Sequence, residues 1–168
     1  KAFFSALDGW PSEGGHGREL WVTDGTIGGT QMIEINTSST INSGSSDPIN
    51  FSQLGSRLLF SAYNSSRSRE LWVTDGTSAG TRMYDINTFG GGISSSPFAA
   101  GTNVVWAADD GLQVDGKHGN ELWVSNGTAS GTSLVDINQT SWYNSGGSYP
   151  SLFTKSGNLT YFTARNAT

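Results

Sequence analysis

The feature that most constrains the fold of this chain is an eight-residue stretch that occurs three times. It reads Glu-Leu-Trp-Val-Thr-Asp-Gly-Thr at 19–26 and at 70–77, and Glu-Leu-Trp-Val-Ser-Asn-Gly-Thr at 121–128; in each copy a Gly-Thr pair follows after two further residues. Successive copies begin at 19, 70 and 121, a constant spacing of 51 residues. A fixed period of this length is typical of chains built from one repeated supersecondary unit, so we expect an array of similar units.

Composition predicts that these units consist of strands. The chain has 168 residues, of which 23 are glycine and only 35% are hydrophobic, a turn-rich balance that favours short strands over helices. No window shows apolar residues at the three-and-four spacing of an amphipathic helix. We therefore expect an all-β protein.

Four apolar segments recur in the same order and are predicted to be strands. Segment a covers 48–51, 97–100 and 150–153; segment b covers 1–6, 58–62, 104–108 and 160–164; segment c covers 19–23, 70–74 and 121–125; segment d covers 30–36, 81–87 and 132–138. A turn pair follows each segment c, at Asp24-Gly25, Asp75-Gly76 and Asn126-Gly127. Such pairs predict a tight turn, because glycine accepts a positive φ and the Asp or Asn side chain bonds nearby main chain.

Segment c is predicted to be covered on both faces. Alternate side chains of a strand point to opposite sides, so Leu20 and Val22 share one face while Glu19, Trp21 and Thr23 share the other. Both faces carry a bulky residue, which is typical of stacked sheets. We expect the repeated tryptophans to fill the space between sheets, and the repeated glutamates to pair with Arg18, Arg69 or other neighbours across units. These residues are Trp21, Trp72 and Trp123, and Glu19, Glu70 and Glu121.

The predicted fold is a β-propeller-like array of four-stranded antiparallel blades, because four short strands over about 50 residues are typical of propeller blades. We treat the chain as one repeat domain over 1–168, with units at approximately 1–47, 48–96 and 97–149 and a partial unit at 150–168. This is a little over three units, whereas a closed ring needs about four to eight blades. A fragment of a longer array is favoured over a partial propeller completed by another copy and over an open stack of sheets.

Charge and cysteine content restrict the classes of partner and site. The net charge of −5 comes from scattered acidic residues with no basic run, which disfavours nucleic acid and anionic membrane surfaces as partners. The absence of cysteine excludes disulfides and thiolate metal sites. No apolar stretch reaches the length that membrane insertion requires.

The repeated pattern resembles a known bacterial repeat. Asp-Gly and His-Gly in the loop before segment c, then Glu-Leu-Trp-Val-Thr-Asp-Gly-Thr-x-x-Gly-Thr, are similar to the ELWxxDGTxxGT repeat of large secreted or surface proteins. The resemblance implies propeller-like blades, an extracellular or cell-surface location, and partners among other repeats of the same or a neighbouring chain. It implies no general catalytic activity. The second unit departs from the pattern, because Tyr63-Asn64-Ser65-Ser66 replaces the Asp-Gly and His-Gly elements.

The loops between segments b and c contain the best metal candidates. Hard oxygen ligands on glycine-rich loops suit calcium, although no EF-hand spacing is present and no cofactor is required by the sequence. The candidate residues are Asp8 and Glu13 in the first unit and Asp109, Asp110 and Asp115 in the third. His16 and His118 lie in the same loops, where a loop-bracing hydrogen bond is favoured over metal binding or proton transfer.

Aromatic residues on polar loops are the best ligand-binding candidates. Trp10, Trp142 and Tyr143 lie outside the repeated segments among Gly, Ser and Asn, a setting in which rings stack against sugar faces. No nucleophile elbow, phosphate loop or metalloprotease helix is present, so the chain is not predicted to be an enzyme, and a hydrolase ranks third. The leading hypothesis is a non-catalytic extracellular or cell-surface module for structural display or protein interaction. The alternative is a carbohydrate-binding module that uses the loop aromatics, with calcium as a candidate aid and surface glycans as partners.

Overall fold

The structure, a computed structural model, describes residues 1–37, 44–65, 68–87, 92–111, 118–139 and 147–166. These residues form antiparallel sheets and contain no α-helix; a 3₁₀ turn occupies Pro11–Glu13. Across the described ranges, no helix has the length and apolarity needed to cross a membrane. The predicted all-β class is confirmed.

The strands form four antiparallel sheets in chain order. Sheet 1 contains β1 (Ala2–Leu7), β2 (Arg18–Thr23) and β3 (Gln31–Ile33). Sheet 2 contains β4 (Ile49–Leu54), β5 (Arg57–Tyr63), β6 (Arg69–Thr74) and β7 (Arg82–Tyr84). Sheet 3 contains β8 (Phe98–Ala100), β9 (Asn103–Asp109), β10 (Asn120–Ser125) and β11 (Thr132–Val135). Sheet 4 contains β12 (Ser151–Ser156) and β13 (Leu159–Thr163).

Within each sheet the strands pair in sequence order, as the order of segments a, b, c and d predicts. Neighbouring strands of such a meander run in opposite directions, so the a–b turn and the c–d loop lie at the same end of each sheet that contains both. We name this the turn end; its c–d loops are 24–30, 75–81 and 126–131. The opposite end carries the b–c loops and is named the loop end.

The d strands are shorter than the sequence predicts. The sequence pattern predicts that segment d runs to Asn36, but β3 ends at Ile33, and β7 and β11 end correspondingly early. The chain leaves the sheet because the main-chain N–H of Ile35 donates to the buried carboxylate of Glu19 and not to a neighbouring strand. A hydrogen bond to a side chain therefore replaces the pairing of strand d with strand c.

Successive sheets pack face to face through two hydrophobic clusters. The first joins sheets 1 and 2 and includes Leu20, Val22, Ile33, Ile35, Leu58, Phe60 and Ala62. The second joins sheets 2 and 3 and includes Leu54, Leu59, Leu71, Val73, Ile86, Val104, Trp106 and Ala108. Along β5 the side chains alternate between the two clusters, with Leu58 and Phe60 in the first and Leu59 in the second. Sheet 2 is thus covered on both faces, as predicted for segment c.

The repeated tryptophans stack on an aromatic residue of the neighbouring b strand. The pairs are Phe4 with Trp21, Phe60 with Trp72 and Trp106 with Trp123, with ring centroids 6.3, 6.5 and 6.4 Å apart. Trp72 and Trp123 each pack against the cluster shared with the preceding sheet, which confirms their predicted role between sheets.

Candidate functional site

The Asp, Gly and Thr residues at the end of the repeated motif make their hydrogen bonds chiefly within their own c–d loop. In the first copy Asp24 Oδ1 accepts the main-chain N–H of Thr26 at 2.9 Å and its hydroxyl at 2.7 Å. The same Thr26 hydroxyl oxygen accepts the N–H of Gly29 at 2.9 Å, and the hydroxyl of Thr30 donates to the Thr26 carbonyl at 2.7 Å. The second and third copies repeat these bonds around Asp75 and Asn126.

Two glycines in this loop have separate geometric roles. Gly25 has φ +93°, and Gly76 and Gly127 share the positive sign, as the turn signal predicts. At the second position, a Cβ built on Gly29 would lie 2.0 Å from Asp24 Oδ1, so a side chain there collides with the carboxylate. Asn126 makes the same bonds without a charge, so these residues serve first to form the turn.

The repeated glutamates are fully buried and bond to main chain, so the predicted pairing with arginine is wrong. The Glu19 carboxylate accepts the N–H groups of Ile35 and Ser46 at 2.8 and 2.9 Å and the Ser46 hydroxyl at 2.7 Å. In the described ranges no basic side chain lies within ion-pair distance of Glu19, Glu70 or Glu121. Arg18 instead pairs with Asp47, and Arg69 donates to main-chain carbonyls.

Each glutamate ties the chain after segment d to its own strand c. Glu70 accepts the N–H groups of Ile86 and Gly92, and Glu121 accepts those of Ile137 and Ser148 and the Ser148 hydroxyl. Burial raises the pKa of Glu19 and of Glu70 to about 7, although the hydrogen bonds to each carboxylate oppose that rise. With no exposed surface, these carboxyls act on the fold and not on a substrate.

At the loop end, histidines brace two of the b–c loops. Asp8 accepts the main-chain N–H of His16 at 2.8 Å, and its second oxygen lies 2.7 Å from His16 Nδ1. Asp110 makes the same pair of contacts to His118, each at 2.9 Å. The contact raises the pKa of His16 and lowers that of Asp8. The predicted loop-bracing hydrogen bond is confirmed.

The calcium candidates do not converge. Asp8 and Asp110 already use both oxygens on histidine, and Asp109 accepts the N–H of Gly111 at 2.8 Å. Asp115 lies outside the described residues. Among the side chains that the structure places, no three of the His, Asp or Glu type gather closely enough to hold a metal ion. Calcium binding stays a prediction.

Of the three aromatic candidates, the structure places one. Trp10 lies in the b–c loop of sheet 1 with 50% of its surface exposed. Its carbonyl accepts the N–H groups of Glu13 and Gly15, which fixes the local turn. Trp142 and Tyr143 lie outside the described residues. The ring of Trp10 is therefore free to contact a ligand from the loop end.

A groove at the turn end was not predicted from the sequence. It lies between sheets 2 and 3, has a volume of about 180 Å³, and is lined by Arg57, Arg82, Tyr84, Asp75 and Thr128, among others. The signal that points to it is a departure from the repeat. Across from strand c, the register positions of Arg82 and Tyr84 are held by Gln31 and Ile33 in sheet 1, and by Ser133 and Val135 in sheet 3.

No protein-family model, curated protein or solved structure matches the chain. Function is therefore inferred from the geometry of its own residues. That geometry separates two regions: a loop end with irregular, histidine-braced loops and the exposed Trp10, and a turn end with near-identical loops and charged grooves between the sheets.

Proposed function

We propose that the chain is a non-catalytic extracellular or cell-surface module of propeller-like blades, of the ELWxxDGTxxGT type, that serves in structural display or protein interaction. The observation that carries this proposal is the internal use of the repeated polar residues. The Glu19 carboxylate accepts hydrogen bonds from the main chain that follows strand d. Asp24 and Thr26 make their hydrogen bonds within their own loop. These repeated side chains therefore have a structural role in each unit.

The blade interpretation is supported by how the sheets follow one another. Each complete sheet is a four-stranded antiparallel meander, and the outer strand d leads into strand a of the next sheet. Sheets 1, 2 and 3 pack in chain order through shared clusters. This serial stacking of meanders is the arrangement that propeller blades use.

Other repeats are the partners that the sheet faces fit best. Phe60 and Trp106 are completely buried against a preceding sheet. Phe4, at the same position in sheet 1, is 37% exposed beside Trp21. A face of identical chemistry is suited to a further blade of the same or a neighbouring chain.

Display is supported by variation at the loop end on a constant frame. The first b–c loop carries a 3₁₀ turn and Trp10, whereas the second is short and places the Arg69 guanidinium 4.1 Å from the centroid of the Tyr63 ring. Loops that differ in shape and charge above similar sheets provide distinct contact surfaces for proteins.

Carbohydrate binding is the second candidate, favoured by the half-exposed ring of Trp10. Here Trp10, with Trp142 and Tyr143, stacks on sugar rings, and calcium bound by Asp8, Asp109, Asp110 or Asp115 assists. Surface glycans are then the partners.

A glycan array with and without chelator separates the two candidates. Absence in both conditions of any signal that depends on Trp10 supports display and overturns the lectin candidate. A sugar signal that Trp10→Ala abolishes, and that the control Ile27→Ala retains, overturns display; Ile27 is 98% exposed at the turn end. Turnover of common glycosidic or ester substrates by the purified chain contradicts the non-catalytic assignment.

A further inference from the structure

We propose that the groove between sheets 2 and 3 at the turn end binds an acidic sugar, with Arg57 and Arg82 holding the carboxylate of a uronic acid ring. This site is separate from Trp10 and does not depend on the function proposed above.

Contacts between the two sheets build the wall of the groove. Arg57 Nη1 donates to the carbonyl of Gly127 at 2.6 Å, and the hydroxyl of Tyr84 donates to the same carbonyl at 3.1 Å. Arg57 follows the a–b turn of sheet 2, while Gly127 belongs to the c–d loop of sheet 3. The shared acceptor fixes Arg57 and Tyr84 beside each other on a rigid frame.

Two guanidinium groups supply positive charge in a chain whose net charge is −5. Arg82 is exposed, and among the described residues it has no hydrogen-bond or ion-pair partner. The Arg57 guanidinium donates one N–H to Gly127 and has further N–H groups that can bind a ligand. Arg57, Arg82 and Tyr84 line the same groove, so both guanidinium groups face one space. Planar guanidinium forks match the two oxygens of a carboxylate.

The remaining lining selects a hydroxyl-bearing monoanion over a phosphate or a simple acid. Asp75 lines the same groove, and its Oδ1 accepts both the N–H and the hydroxyl of Thr77. Those bonds lower the pKa of Asp75, so its carboxylate stays ionised and repels a dianion more strongly than a monoanion. Its other oxygen is an acceptor for sugar hydroxyls, and the Tyr84 hydroxyl, which donates to Gly127, keeps a lone pair that accepts another. One carboxylate and several hydroxyls on a ring satisfy this set.

The repeat itself provides the variants that test the site. Gln31 occupies the position of Arg82 in sheet 1, and Ser133 occupies it in sheet 3. Both residues are compatible with the strand, so Arg82→Gln and Arg82→Ser remove the charge at an exposed position and are expected to fold. Arg165→Gln is the control, because Arg165 lies over the Tyr149 ring, which does not line the groove.

The test is an NMR titration of the labelled chain with galacturonate and with glucuronate, followed at the amides of Gly127 and Thr128. We expect saturable chemical-shift changes with a uronate. The affinity should be about tenfold or more weaker in Arg82→Gln, because one charge-assisted hydrogen-bond partner is lost, and unchanged in Arg165→Gln. Galactose, acetate, inorganic phosphate and a glutamate peptide serve as comparison ligands.

Absence of shifts with both uronates overturns the site. So does an affinity of Arg82→Gln and Arg82→Ser for a uronate that equals the affinity of the unmodified chain. Binding of acetate, phosphate or the peptide as tight as that of a uronate overturns the sugar assignment. The glycan-array result for Trp10 bears on neither outcome, because that ring lies at the other end of the sheets.

Discussion

At the scale of single residues, the repeated Asp-Gly-Thr-x-x-Gly-Thr sequence describes one self-contained loop. The Thr26 hydroxyl both donates to Asp24 and accepts from Gly29, so a residue without a hydroxyl breaks two bonds at once. Thr30 reaches back to the Thr26 carbonyl and to the hydroxyl of Thr23 at the end of β2. A loop closed by its own side chains needs no ligand to hold its shape.

Adjacent glycines of this loop give a matched test of that description. Gly29→Ala is expected to destabilise the fold by about 1–3 kcal/mol, because the new Cβ lies 2.0 Å from Asp24 Oδ1 and forces the carboxylate off Thr26. Gly28→Ala meets no atom within 4 Å and has no positive φ, so its cost is expected to stay within about 0.5 kcal/mol. Urea denaturation measures both free energies of unfolding; equal values contradict the role given to Gly29.

At the scale of elements, a buried carboxyl decides where strand d stops. Glu19 accepts from Ile35, two residues beyond the end of β3, and from Ser46, three residues before β4 begins. Glu70 and Glu121 repeat the arrangement. Strand c therefore secures the segment between sheets as well as pairing within its own sheet.

Stability is expected to fall as pH rises from about 5 to 8, because of these carboxyls. Burial raises the pKa of Glu70 from 4.5 unfolded to about 7 folded, so the folded state holds the proton more tightly. The stabilisation is complete below pH 4.5 and is lost as pH passes 7; Glu19 behaves alike. The limit is on the order of 3 kcal/mol per carboxyl. Unfolding free energies at pH 5 and pH 8 measure it.

Glu70→Gln is the variant that isolates this effect. It removes the titrating group, so the difference between pH 5 and pH 8 should shrink relative to the unmodified chain. His16 has a raised pKa and contributes a loss of the same sign, so only the difference between the two proteins is diagnostic. An unchanged pH dependence in Glu70→Gln contradicts the assignment.

Strand order and turns were predictable because their causes are local. Period-two alternation and the Asp-Gly signal act within a few residues, and they located the b and c strands and the positive φ at Gly25. The partners of Glu19 were missed, because Ser46 lies 27 residues away and donates main chain that no residue pattern marks. The groove was missed for a similar reason: Arg57 meets Gly127 across 70 residues. Both features depend on contacts between residues that are far apart in the sequence.

At the scale of the whole molecule, stability is distributed between consecutive sheets. Sheet 2 contributes one face of β5 to the cluster with sheet 1 and the other to the cluster with sheet 3. No single central core serves every sheet that the structure describes; each cluster joins two neighbours. A core substitution should therefore lower the free energy of unfolding by an amount set by the area buried at its own sheet interface, whichever unit it occupies.

Phe60 and Phe4 test this at one register position. Each stacks on the tryptophan of its strand c, at 6.5 and 6.3 Å, but Phe60 is fully buried under sheet 1 while Phe4 is 37% exposed. Phe60→Ala is expected to cost about 3–5 kcal/mol and Phe4→Ala about 1 kcal/mol in urea denaturation. Both rings share a tryptophan partner, but Phe60 also contacts Phe51 of β4 at 5.9 Å, so the excess measures the covering sheet together with that contact. If Phe60→Ala does not fold, Phe60→Leu against Phe4→Leu preserves the comparison, and equal costs for the pair would show that the sheets do not stabilise one another face to face.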